Sequence, residues 1–87
     1  MKTFTNTKNI PPNLFYDLLK NNFKDMFPDK SLQYGIADHT ITVEKDGILL
    51  YHVVINEETI ELSTMSDKKA DIGKKLEKFI EASLLEQ

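Results

Sequence analysis

Ile41-Thr42-Val43-Glu44-Lys45-Asp46-Gly47-Ile48-Leu49-Leu50-Tyr51-His52-Val53-Val54-Ile55 is the stretch whose reading decides the fold. Asp-Gly between two runs rich in β-branched and aromatic residues is a hairpin signal. A second turn at Asn56-Glu57 leads into Thr59-Ile60-Glu61-Leu62-Ser63. Ala37-Asp38 offers a third turn, which would make Ser31 to Ile36 a further strand. The middle of the chain therefore reads as an antiparallel meander of three or four strands.

Register decides which side chains share a face, because a one-residue slip turns all of them over. With Asp46-Gly47 alone as the turn, Val43 faces Leu50 and Ile41 faces His52. With a three-residue turn, Lys45-Asp46-Gly47, and a left-handed Gly47, Val43 faces Leu49 and Ile41 faces Tyr51. The second choice gathers Ile41, Val43, Leu49, Tyr51, Val53 and Ile55 on one apolar face; the first buries a histidine. The three-residue turn is the expectation. The next hairpin then sets Val53 opposite Ile60 and Tyr51 opposite Leu62, while Leu32 and Tyr34 join the same face.

A helix flanks the meander on each side. Pro11-Pro12 opens the first, since proline is tolerated where the N–H groups lack partners. Leu14, Phe15, Leu18, Leu19, Phe23, Met26 and Phe27 follow at helical spacing over an arc of about 200°. Pro28 ends it by driving Phe27 out of the α region. So wide an arc implies burial on more than one side, or an interface. Ser66 is the expected N-cap of the second helix, with Asp67 in its first turn. Ile72, Gly73, Leu76, Phe79, Ile80, Ser83 and Leu84 form a stripe of about 140°, the expected core face. Gly73 on that stripe either allows close approach or is a tolerated helix glycine.

These elements predict a two-layer α+β domain over residues 11–87, with an N-terminal and a C-terminal helix packed on one face of the sheet. Residues 1–10, polar and without a period, read as a flexible arm or a short edge strand. The chain of 87 residues and 10.0 kDa is one domain. No apolar run approaches the ~18 residues of a membrane span, and no signal peptide is visible at the start. Without cysteine there is no disulfide framework, thiolate metal site or cysteine nucleophile. All eleven basic side chains are lysine, against fourteen carboxylates, for a net charge of −3. The absence of arginine, the usual bidentate reader of guanine and phosphate, counts against nucleic acid as a partner. It also fits a low-GC bacterial genome, and the expected setting is the bacterial cytoplasm.

Little in the sequence carries chemistry. His39 and His52 fall on opposite sides of the sheet, with His52 opposite Thr40 in the chosen register and Glu61 beside it as a cross-strand partner. Glu57-Glu58 keeps a turn solvated. Lys68, Lys69, Lys74, Lys75 and Lys78 are interspersed with Asp71, Glu77 and Glu81, which is a solvated helix face. No nucleophile elbow, phosphate loop or zinc-binding helix motif is present. The expectation is a non-enzyme without cofactor or metal.

The outer sheet face is the exception. Thr40, Thr42, Glu44, Glu61 and Ser63 are solvent-facing in character, yet the expected register puts Ile48, Leu50, His52 and Val54 on that face. Tolerated single exposures, an arm folding over with Phe4 and Ile10, or a partner would each account for it. The partner reading makes the chain a homodimeric, non-catalytic interaction module with Thr40, Thr42, Ile48, Leu50, His52, Val54 and Met65 at the interface. The alternative is a small-molecule-binding domain or accessory enzyme subunit. Its pocket would lie between the first helix and the sheet, lined by Phe15, Phe23, Tyr34 and Tyr51.

Overall fold

The computed structural model describes residues 2–65 and 70–85. The elements run β1 (Lys2–Thr5), α1 (Pro12–Met26), β2 (Leu32–Ala37), β3 (Thr40–Lys45), β4 (Ile48–Ile55), β5 (Thr59–Thr64) and α2 (Ala70–Leu85). The sheet is antiparallel with order β1-β5-β4-β3-β2. It has five strands, one or two more than the sequence predicts, because Ser31 onward does supply a strand and the arm supplies another. β1 pairs with β5 from Lys2↔Leu62 to Thr5↔Thr59. Phe4 therefore packs on the core side, opposite Ile60, and Ile10 is buried. The arm does not cover the outer face.

The expected three-residue turn does not form, and neither register offered by the sequence runs the whole hairpin, yet the expected core face forms except that Leu50 replaces Leu49 in it. Asp46 (φ 52) and Gly47 (φ 79) both take positive φ, the type I′ geometry of a two-residue turn, and Lys45 pairs with Ile48. Carried straight on, that pairing would place Val43 opposite Leu50. A β-bulge between Val43 and Glu44 on one strand and Leu49 and Tyr51 on the other intervenes, so Val43 faces Tyr51 and Ile41 faces Val53. Leu50 is the extra residue. The bulge reconciles a turn that fixes one parity with a core that needs the other. In the next hairpin Ile55 faces Ile60 and Val53 faces Leu62, two residues from the expected pairing. A two-residue shift keeps every face. At the β2–β3 turn the pair Ala37↔Thr40 moves the loop to Asp38-His39.

Both helices cover the inner face. α1 lies over β2, with Phe23 and Tyr34 ring centroids 4.3 Å apart, and its other flank meets α2 through an edge-on Phe15–Phe79 contact at 5.5 Å. Those two neighbours account for the wide arc: Phe15, Leu19, Phe23 and Phe27 are buried, while Leu14 stays half-exposed. The α1 backbone ends at Phe27 as Pro28 requires, and Lys75 of α2 donates to the carbonyl of Met26 at 2.9 Å. A cation at that carbonyl also complements the helix dipole. Gly73 is a close-approach residue. An added Cβ would lie 2.7 Å from the Tyr51 hydroxyl oxygen and 2.9 Å from its ring. Ile72, Leu76 and Ile80 are buried around it. The expected N-cap Ser66, with Asp67, Lys68 and Lys69, lies outside the described residues.

Asn6 is the buried polar side chain among the described residues. Its carboxamide donates to the carbonyls of Ile10 (3.1 Å) and Asn56 (2.9 Å) and accepts from the N–H of Ile10 (3.0 Å). One side chain thus ties the β1–α1 loop to the β4–β5 turn. Asn6→Ala is expected to cost about 2–3 kcal/mol, because it strands backbone groups away from water. Urea denaturation checks this; a loss of a few tenths would mean that water replaces the amide.

Candidate functional site

Two surfaces stand out once the elements are placed. The first is the outer sheet face, which no helix covers. Its central row runs Thr3, Glu61, Val54, Thr40, Ala37 across the five strands, and the next runs Ser63, His52, Thr42, Gly35. His52 therefore sits opposite Thr42 and Ser63, not Thr40, and Glu61 is diagonal to it across the pair with Val54. Among the expected interface residues, Thr40, Thr42, His52 and Val54 lie on this face and are half-buried by their neighbours. Met65 follows Ser63 by two at its rim, half-exposed.

Leu50 and Ile48 do not belong to this face. Leu50 is 4% exposed and part of the hydrophobic core, because the bulge turns it inward. Ile48 pairs with Lys45, whose ammonium reaches Asp29 on the helix side, so its exposure lies at the hairpin end and not on the outer face. Leu49, paired with Glu44, takes the outer position instead. The central outer stripe is Leu49, His52, Val54. The two-residue turn places Leu49 outward and Leu50 inward, the bulge restores the core parity from Tyr51 onward, and no residue in the sequence signals that bulge.

The second surface is a groove of about 900 Å³ between the C-terminal half of α1 and the free edge of β2. Of the four residues expected to line a pocket, Phe23 and Tyr34 do line this one. Phe15 and Tyr51 do not: both are packed in the core, Phe15 against Phe79 and Tyr51 beneath Gly73. The groove is open along its length. Lys20, Lys24 and Lys30 stand on its rim, and Phe23, Phe27 and Tyr34 line it. Asp29 also borders it, but its carboxylate already accepts from Lys45 Nζ (2.7 Å), Ser31 Oγ (2.6 Å) and the Ser31 N–H (2.9 Å). The hydrogen bond from Lys45, then those from Ser31, hold its pKa well below the ordinary carboxylate range.

His39 occupies the β2–β3 turn, exposed, and its carbonyl accepts from the N–H of Ile55 at 2.8 Å. Among the described residues no three histidine or carboxylate side chains come together to hold a metal ion, and no helix is long and apolar enough to cross a membrane. The expected pocket between the first helix and the sheet is thus met in part by Phe23 and Tyr34, while the groove's lysines, drawn from α1 and the following loop, are not part of that expectation. Set against known proteins, the chain matches no family model, no curated protein and no solved structure.

Proposed function

We propose that this chain is a small non-catalytic interaction module that pairs with a second copy of itself through the outer face of its sheet. The observation that supports this is the face itself. Both helices lie on the other side, and the uncovered strands present threonines and small residues around Leu49, His52 and Val54, with Glu44 and Glu61 as the strand carboxylates. Five strands averaging six residues give a footprint of about 24 × 20 Å. A standard interface hides ~800 Å² per partner, so a dimer would use the whole face with its rim at Met65. Flat faces of this kind pack across a two-fold axis with strands about 30° apart. The composition, eleven lysines and no arginine, supports a low-GC bacterial cytoplasm as the setting.

Val54→Lys tests the pairing. Val54 lies mid-face beside Glu61, so a lysine there has a neighbouring carboxylate in the monomer but is desolvated twice over in the dimer. Light scattering is expected to show a dimer for the wild type and a monomer for the variant, with unchanged circular dichroism. A wild type that is monomeric at high micromolar concentration sinks the proposal. Two dimeric proteins would move the interface off this face.

A further inference from the structure

We propose that the free edge of β2 and the lysine-rimmed groove beside it form a docking site for an extended acidic peptide, which would add to the sheet as a sixth strand. This site lies apart from the outer face and stands whether or not the chain dimerises there. β2 is an end strand of the sheet. Its sequence, Leu32-Gln33-Tyr34-Gly35-Ile36-Ala37, has no charge, no proline and an unbroken register with β3. Charges, prolines and bulges are the devices with which an edge strand normally protects itself, and β2 has none of them. In a two-residue hairpin the closing pair exchanges both backbone hydrogen bonds. Ala37↔Thr40 closes this one, so Gln33, Gly35 and Ala37 point their backbone groups at β3. Leu32, Tyr34 and Ile36 point theirs outward. The N–H of Leu32 confirms the phase by donating to the carbonyl of Asp29 at 3.2 Å. Among the described residues the outward groups of Tyr34 and Ile36 have no partner.

The groove supplies the selectivity. A strand laid along β2 would direct alternate side chains to the helix side, where Phe23, Phe27 and Tyr34 offer apolar and aromatic contact and Lys20, Lys24 and Lys30 surround it. Neither ion pair found among the described residues, Lys2–Glu77 or Lys45–Asp29, involves these three lysines. Asp29 is already engaged, so the groove is cationic on a chain whose net charge is −3. Charge also decides between occupants. Two copies paired edge to edge about a two-fold axis would bring their lysine sets together, a like-charge contact that disfavours self-pairing at this edge. An extended segment carrying glutamate or aspartate meets the lysines with opposite charge while filling the backbone partners of Tyr34 and Ile36. Main-chain bonds with pockets for alternate side chains are the general mode of strand addition.

The test is an NMR titration of the whole chain with a blocked heptapeptide that alternates glutamate with valine around a central phenylalanine. Expected are amide shifts at Tyr34 and Ile36 and along the α1 flank at Lys20 and Lys24, the same in Val54→Lys as in the wild type. The K20E/K24E/K30E variant, altered at three exposed positions, should bind about tenfold more weakly. A peptide N-methylated at alternate amides should lose binding. Equal binding of a peptide with lysine in place of glutamate, equal binding of the N-methylated peptide, or shifts confined to other surfaces would each overturn the proposal. So would binding of a single-stranded oligothymidylate at these residues in preference to the peptide.

Discussion

Leu50→Lys is expected to unfold the domain, whereas Leu49→Lys, one residue away, should leave it folded. Leu50 is 4% exposed within the apolar cluster, and Leu49 is partly exposed on the outer face opposite Glu44. An ammonium forced into the core must be neutralised or drag water in, a penalty of about 5 kcal/mol or more. A domain of this size has only ~4–13 kcal/mol of total stability to set against it. At Leu49 the new lysine gains a cross-strand carboxylate, and the change should stay within about 1 kcal/mol. Urea denaturation followed by circular dichroism separates the two. The reverse order of stabilities would mean that the hairpin runs without its bulge, through the three-residue turn.

That pair of substitutions also marks where sequence reading stops. Asp46-Gly47 asks for a two-residue turn, and Ile41, Val43, Tyr51, Val53 and Ile55 ask for a common face. Each preference is legible by itself. They disagree by one residue, and the chain resolves the conflict at Leu50, inside the strand, where nothing local announces it. Moving the error into the turn keeps most of the core face but exchanges Leu49 for Leu50. Most of the fold survived that error, because parity and not exact pairing decides burial. On the outer face Thr40, Thr42, His52 and Val54 stand, but Ile48 and Leu50 do not, since they lie on the turn side of the place where the parity breaks.

Other features were illegible because they depend on partners far along the chain. Lys2–Thr5 is too short to show a period, and its place beside β5 is set by Phe4 meeting Ile60. Asn6 looks like any loop asparagine until the carbonyl of Asn56 is brought to it. Lys75 is one of several helix lysines until α1 ends within its reach. The groove beside β2 shows the same limit: an edge strand is recognised only when the order of the sheet is known. By contrast Pro11-Pro12, Pro28 and the α2 stripe act within a few residues of themselves, and the structure follows them.

The α2 stripe carries the second large effect. Leu76→Ala is expected to cost about 2–5 kcal/mol. Leu76 is 1% exposed, one turn from Gly73, where α2 comes so close to Tyr51 that no Cβ fits between them. Close approach is what makes the loss large. The helix is held down on both sides of Leu76 by the buried Ile72 and Ile80, so it cannot settle into the space a deleted isobutyl group leaves. Phe79→Ala is expected to cost less than the usual range for a buried phenylalanine, because Phe79 is only half-buried and lines the open seam between the helices beside its edge-on contact with Phe15. Urea midpoints for the two variants give the comparison. A Leu76→Ala loss under about 1 kcal/mol would show that α2 can shift to close the cavity, and then Gly73→Ala should be tolerated as well. If α2 is fixed as the packing requires, Gly73→Ala must instead displace the Tyr51 ring and lose more than the ~1 kcal/mol that alanine gains over glycine in a helix.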